Sequence, residues 1–386
     1  MPVINSISAR SQELAGWRQY LHQHPELGFE CFATARFVAD KLREFGITDI
    51  HEAIATSGLV ALIQGRAPGL TIGLRADMDA LPMVEKSGVA HASTVPGRMH
   101  ACGHDGHTTM LLGAAQYLAE TRNFAGRVAL IFQPAEEGEG GGRVMVEEGI
   151  MERFDISRVF GIHNSPGDPV GHFLTAPGPL MAAVDTFWID IQGVGGHGAM
   201  PWQTRDPVIT AVAIVQALQT ITSRNVDALD QLVLTVTQIH AGSGTNIIPD
   251  TAQIVGTVRS FKPGVQTLVM TRMEEIVRHQ AASFGMSAEL VYERGYPATV
   301  NDPDEAAFAA EVAREVVGAE RVNAACDPIM AAEDFAYMLN ARPGAYLFLG
   351  QGETATCHHP AYDFVDEIAP VGASFFVRLV EKALPL

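Results

Sequence analysis

At 386 residues the chain exceeds what a single hydrophobic core usually serves, so two domains are expected. A formal net charge of −18 repels nucleic acid and anionic lipid and removes both as partners, while a hydrophobic fraction of 47% leaves ample core for a globular fold. The expectation is a soluble protein that acts on something small.

The opening residues, Met1-Pro2-Val3-Ile4-Asn5-Ser6, lack a basic start followed by an apolar core, and no apolar run is long enough to span a bilayer, so a cytoplasmic location is expected. Residues 6–46 read as helix, a break near Pro25-Glu26-Leu27-Gly28, and a second amphipathic helix from about Thr34 to Phe45. Strands follow at Gly58–Ile63 and Leu70–Ala76, the second running into Asp77-Met78-Asp79-Ala80-Leu81-Pro82. A loop then leads to Cys102, and Thr108–Glu120 has helical spacing with threonines suited to starting a helix. Near-continuous apolar runs at Arg127–Phe132, Val159–His163 and Ala345–Gly350 are typical of strands buried on both faces.

Strands alternating with helices predict an α/β fold with a doubly wound, mostly parallel sheet, in which functional groups sit beyond the carboxyl ends of the strands. Near Ala183 the pattern changes. Strand Thr186–Gln192, a Gly-rich loop, a helix over 206–223, strands Gln231–Ile239 and Ala252–Phe261, a helix over 264–283 and strand Ala288–Glu293 spell β-α-β-β-α-β, the split βαβ arrangement. The boundaries drawn from this are one domain from residues 1–184 plus 295–386 and an inserted α+β domain at 185–294.

The chemistry concentrates in Arg98-Met99-His100-Ala101-Cys102-Gly103-His104-Asp105-Gly106-His107. A thiol and an imidazole two residues apart, with glycines relaxing the backbone, can turn toward a common point. Glu136-Glu137, His163 and His358 each come after an apolar run. Thiolate, imidazole and carboxylate together suit zinc or a similar first-row divalent ion, not calcium or magnesium. Five candidates, Cys102, His104, Glu137, His163 and His358, exceed the needs of a single catalytic zinc, whereas a thiolate shared by two ions uses all five. Taken singly each is weak: Cys-x-His arises by chance, a strand-end histidine is commonly a hydrogen-bonded core residue, and adjacent glutamates are commonly solvated. Their common side of one sheet is what joins them. The cysteines Cys31, Cys102, Cys326 and Cys357 are too few and scattered for a disulfide framework, which leaves them as free thiols or ligands.

Six segments in this order, His22–Phe29, Arg75–Pro82, Met99–Asp105, Gln133–Glu137, Gly195–Pro201 and His358-His359-Pro360, give the chain its resemblance to the dinuclear metallopeptidase family of aminoacylases and carboxypeptidase G. Within it the chain looks most like the branch of hippurate hydrolases, N-acyl-amino-acid amidohydrolases and auxin-conjugate hydrolases. The resemblance implies a metal-dependent amidohydrolase with two divalent ions, zinc, manganese or similar. Cys102 would bridge them, Glu137 and His358 would hold one, and His104 and His163 the other. Glu136 matches the general base. His197 matches a residue that reaches into the neighbouring subunit's site in a dimer, and the inserted domain would be a lid and dimerisation domain of a homodimer or tetramer. Asn246 and Arg259 lie in the same domain and are candidates for holding a substrate carboxylate. Asp77-Met78-Asp79 stands where many relatives have histidine-x-aspartate, which leaves these aspartates as partners of the ligands at most, and Glu333-Asp334 is a further candidate for orienting a ligand. The alternatives are a dipeptidase or carboxypeptidase of the same family, a thiol amidase with Cys102 as nucleophile, and a silent binding protein.

Overall fold

The computed structural model describes residues 3–386, and the chain divides into two compact units. Of the described residues, one comprises 3–180, 299–327 and 334–386, and the other 181–298 with 328–333.

The first unit is built on an eight-stranded sheet in the order Asp49–Ile54, Gly58–Gln64, Ala125–Gln133, Ala67–Asp77, Ile156–Pro166, Gly344–Gly352, Phe173–Leu174, Val322–Asn323. Its centre is parallel from Ala125–Gln133 through Gly344–Gly352. These are the strands of the long apolar runs, and Ala125–Gln133 and Gly344–Gly352 are buried on both faces along most of their length, as parallel strands covered on each side must be. Around this parallel centre the sheet is mixed. Gly58–Gln64 pairs antiparallel with both Asp49–Ile54 and Ala125–Gln133, and Phe173–Leu174 runs antiparallel to Gly344–Gly352. Asp49–Ile54 escaped the sequence reading because DIHEAI has a polar, exposed edge-strand composition with no apolar run to mark it.

Helix His104–Thr121 lies against strand Ala67–Asp77 and packs on helices Ser11–Gln23 and Ala369–Ala383. Its start differs from the expected Thr108. Gly103 takes the N-cap position at φ 94° with no capping side chain, so His104 is the first helical residue and its ring direction is set by the helix. The helix is buried for most of its first three turns, so it shows none of the amphipathic signal that would have marked its beginning.

The second unit has four antiparallel strands in the order Leu232–Ala241, Thr251–Ser260, Ala183–Gln192, Ser287–Arg294. Helices Pro207–Thr220 and Pro263–Ser283 supply the rest of a β-α-β-β-α-β unit. Burial alternates along Ala183–Gln192 and Thr251–Ser260, so one sheet face is dry, and Phe187, Ile189, Ile254 and Val258 share a core with Ile214, Leu218, Val269 and Met273. The first of these helices begins as its sequence dictates, with Asp206 Oδ1 accepting from Val208 N at 2.9 Å and Pro207 in the first turn. Among the described residues no helix is long and apolar enough to cross a membrane.

Candidate metal centre

Six of the expected residues come together in the first unit. The side-chain donor atoms of Cys102, His104 and His163 lie within 4.8 Å of one another, as do those of Cys102, Glu137 and His358. Cys102 belongs to both triads. Glu136, on the same turn, groups with His104 and Glu137. Cys102 Sγ is 3.4 Å from His163 Nε2, His104 Nε2 is 3.9 Å from Glu137 Oε1, and His358 Nε2 is 3.2 Å from the same oxygen.

The local backbone explains how each donor arrives. Strand Ala125–Gln133 ends at a tight turn in which Ala135 takes φ 57°, turning Glu136 and Glu137 back beside the strand end. His163 lies within its strand, not beyond it, paired in register with Phe348. His358 sits in a loop after strand Gly344–Gly352, at φ 63°, and its N–H donates to Ala101 O at 2.7 Å, which ties it to the Cys102 segment. Left-handed backbone at non-glycine residues costs energy, and here it occurs beside Glu136 and at a candidate ligand.

Hydrogen bonds set the direction of both buried imidazoles. His104 Nδ1 donates to Asp79 O at 2.7 Å and His163 Nδ1 donates to Asn164 O at 2.7 Å, so both rings present Nε2 to the cluster. Asp79 also accepts from Glu136 N at 2.9 Å and Glu137 N at 3.0 Å, so one aspartate orients His104 and the Glu136-Glu137 turn together. Asp77 accepts from His107 Nδ1 at 2.6 Å and from Arg75 Nη1 at 2.7 Å. Asp334 accepts from Arg75, Gln133 and the Gly142 amide, and its own N–H reaches Glu136 Oε1 at 3.4 Å.

The cluster fits divalent cations on two observations. His104 Nε2 is buried without a hydrogen-bond partner and faces the cluster as a lone-pair donor, and Glu137 Oε1, buried beside it, has His358 Nε2, itself a candidate ligand, at 3.2 Å. The electrostatics agree. The Cys102 thiol is pushed well up by the neighbouring Cys357 sulfur, by burial and by Glu137 and Glu136. Burial alone would push His104 down, but Asp77, Asp79 and Glu137 override it and hold it well above its ordinary value. The His104 shift reports a surplus of negative potential, which a cation reverses. His163 is pushed down by burial and by His107, toward the neutral form that binds metal.

His197, Asn246 and Arg259 lie in the second unit. Gly196–His197 pairs antiparallel with Ile247–Ile248, and Gly198 N donates to Asn246 O at 2.8 Å, so His197 and Asn246 occupy neighbouring exposed loops. Arg259 is half-buried on strand Thr251–Ser260, and burial pulls its guanidinium down against the opposing charge of Asp185.

Several residues of the site carried no role in the sequence reading. His22, fully buried, donates from Nδ1 to Asp105 at 2.8 Å and from Nε2 to Glu85 at 3.3 Å, and Arg18 pairs with Asp363 at 2.8 Å and Asp366 at 2.7 Å. Glu26 accepts from the amides of Ala33 and Thr34, and Leu27 bridges to Ala80. The segment His22–Phe29 was visible as a motif, and it fastens the N-terminal helices to the turn after Asp79 and to Asp105 in the first turn of helix His104–Thr121.

The model of peptidase family M20/M25/M40 matches residues 73–382. The chain is 38% identical over 384 residues to hippurate hydrolase of Campylobacter jejuni, covering 100% of both, and 41% identical over 380 residues to N-acetyl-L-cysteine deacetylase of Bacillus subtilis, covering 98% of this chain and 90% of that one. Among solved structures, a dinuclear metal-binding peptidase of the M20 family from Bacillus subtilis superposes with a TM-score of 0.85 at 34% identity, over 98% of this chain and 99% of the other.

Proposed function

The chain belongs to peptidase family M20/M25/M40, and we propose that it is a metal-dependent amidohydrolase that cleaves the amide bond of N-acyl amino acids, hippurate-like or N-acetyl. The observation that carries this reading is the pair of donor triads sharing Cys102 beside the carboxylate of Glu136. The identity to a hippurate hydrolase and an N-acetylcysteine deacetylase supports the substrate class and the branch.

In this reading Cys102 is shared, His104 and His163 complete one ion site, and Glu137 and His358 complete the other. When bound, divalent ions such as zinc or manganese supply Lewis acidity that polarises the scissile carbonyl and lowers the pKa of water from roughly 15.7 toward 7. Glu136, held by its own N–H to Asp79, takes the proton of the attacking water and delivers it to the departing amine, without which the amine leaves poorly. The mostly buried carboxylate is shielded from bulk solvent, which keeps that proton between reactants. His197 serves as the donor to the oxyanion, supplied to a neighbouring subunit in a dimer, and its loss is expected to cost about 3 kcal/mol of transition-state stabilisation. Arg259 and Asn246 hold the substrate carboxylate. Residues 1–184 with 295–386 form the catalytic domain and 185–294 the lid and dimerisation domain.

The rival, a thiol amidase with Cys102 as nucleophile, predicts an acyl-enzyme on Cys102 and indifference to chelators. The test is hydrolysis of N-acetyl, N-benzoyl and dipeptide substrates by protein stripped with a chelator and then reloaded with zinc or manganese. Loss and recovery of activity are expected. Full activity in verified metal-free protein, or an acyl group trapped on Cys102, would overturn the proposal.

A further inference from the structure

We infer that Asn164 is a positioning residue for one half of the metal centre, and this rests on the two-ion reading above. Its side chain, 2% exposed, stands between the strand that carries His163 and the turn that carries Cys102 and His104. On the strand side, its main-chain oxygen accepts from His163 Nδ1 at 2.7 Å and so turns His163 Nε2 toward Cys102 Sγ. Two anchors hold Asn164 itself. Its side-chain Oδ1 lies 2.7 Å and its main-chain N 3.1 Å from His107 Nε2, with the opposite ring nitrogen of His107 donating to Asp77 at 2.6 Å. Its Nδ2 donates to Tyr362 Oη at 2.8 Å.

On the turn side, the contact is steric. A Cβ added to Gly103 would lie 2.2 Å from Asn164 Oδ1 and 2.6 Å from Tyr362 Oη, so the turn that separates Cys102 from His104 is moulded onto this amide. One residue therefore sets the spacing between His163 and the Cys102-Gly103-His104 turn, its main-chain oxygen holding the ring and its side-chain amide anchoring that backbone and packing on the turn. Toward the other ion site its tie is weaker: Nδ2 comes within 3.9 Å of Cys357 Sγ, the longest contact of the set, and nothing links it to Glu137. Partners that orient a ligand without touching the metal typically change affinity by about 10- to 100-fold. Cys102 is shared, so some loss reaches both halves, but the contacts to His163 and to the turn carrying His104 make it larger in the Cys102/His104/His163 half.

The experiment is a zinc titration of metal-free full-length protein against a chromophoric chelator, resolved into two binding constants. It is repeated with cobalt, whose visible absorption reports thiolate and imidazole coordination. His104→Ala marks which constant belongs to the half in question. Asn164→Ala is expected to weaken that constant by about 10-fold or more and alter its cobalt spectrum, with the other constant within about threefold of wild type. Should Asn164→Ala fail to fold, Tyr362→Phe, which releases the Nδ2 anchor together with the 3.4 Å bond from Tyr362 Oη to Gln351 Oε1, is expected to weaken the same constant by at least about threefold. Equal losses at both sites, or two unchanged constants, overturn the inference while leaving the two-ion reading intact. Wild-type protein that binds no ion pair overturns the two-ion reading itself.

Discussion

Asp79→Ala tests how the Glu136-Glu137 turn is held. The Asp79 carboxylate, 1% exposed, receives the N–H of Glu136 at 2.9 Å and of Glu137 at 3.0 Å, from residues 57 and 58 positions away in the chain. A hydrogen bond to a charged group contributes about 1.5 to 3 kcal/mol, and deletion leaves two donors stranded, so the substitution is expected to cost about 3 to 6 kcal/mol. Asp79→Asn keeps one acceptor oxygen and should lose about half as much. The main-chain oxygen that accepts from His104 survives both changes, while the carboxylate charge 3.5 Å from His104 Nδ1 is lost in both, so the amide exchange is the readout that belongs to the turn. Ala135 is held at φ 57°, and without the two bonds that conformation relaxes and carries the Glu136 carboxylate away from the cluster. Urea unfolding gives the stability, and hydrogen–deuterium exchange of the peptide over residues 133–139 reads the two amides directly. Wild-type exchange at Glu136 and Glu137, with a stability loss under about 1 kcal/mol, would refute the reasoning.

Glu136→Gln keeps the shape but accepts no proton, and is expected to lower kcat by about 10²- to 10⁴-fold with the metal content unchanged; rates and metal analysis on one preparation check this, and undiminished turnover removes Glu136 as the base. For His22, burial alone would lower the pKa, but the hydrogen bonds to Asp105 and Glu85 raise it from 6.5 to about 9. Because the folded value is the higher, this stabilisation is complete below pH 6.5, shrinks as pH rises and is gone above about 9; the displacement corresponds to roughly 3 kcal/mol. The stability gap between wild type and His22→Gln should narrow over that window in unfolding experiments at stepped pH, and a gap independent of pH would count against it. Gly103→Ala places a Cβ 2.2 Å from Asn164 Oδ1 at φ 94°, and is expected to lose more than about 2 kcal/mol together with metal binding, measured by thermal unfolding and metal content. A variant that unfolds and binds metal as the wild type does would show that the turn tolerates a side chain.

Much of the fold could be read in advance because its signals are local. The apolar runs at Arg127–Phe132, Val159–His163 and Ala345–Gly350 mark the buried parallel strands, since only strands covered on both faces lose the polar alternation. Asp206-Pro207 marks a helix start within three residues. The start of helix His104–Thr121 was misplaced because a buried helix opened by a left-handed glycine has neither an apolar stripe nor a capping side chain. The antiparallel edge of the sheet was missed because pairing direction follows from chain connection, which the composition of a single strand does not express.

The same division holds at the site. Residue chemistry alone determined that Cys102, His104, Glu137, His163 and His358 are metal-type donors and that Glu136 is a carboxylate next to one of them, because donor softness and charge belong to the side chain. Tertiary structure decided that two triads share Cys102, that both imidazoles present Nε2, and that Asp79 orients His104 and the Glu136-Glu137 turn at once. It also decided that His22 meets Asp105 across 83 residues and Asn164 meets Tyr362 across 198. A hydrogen bond needs atoms about 3 Å apart in a set direction, and over such separations that proximity is created only by folding.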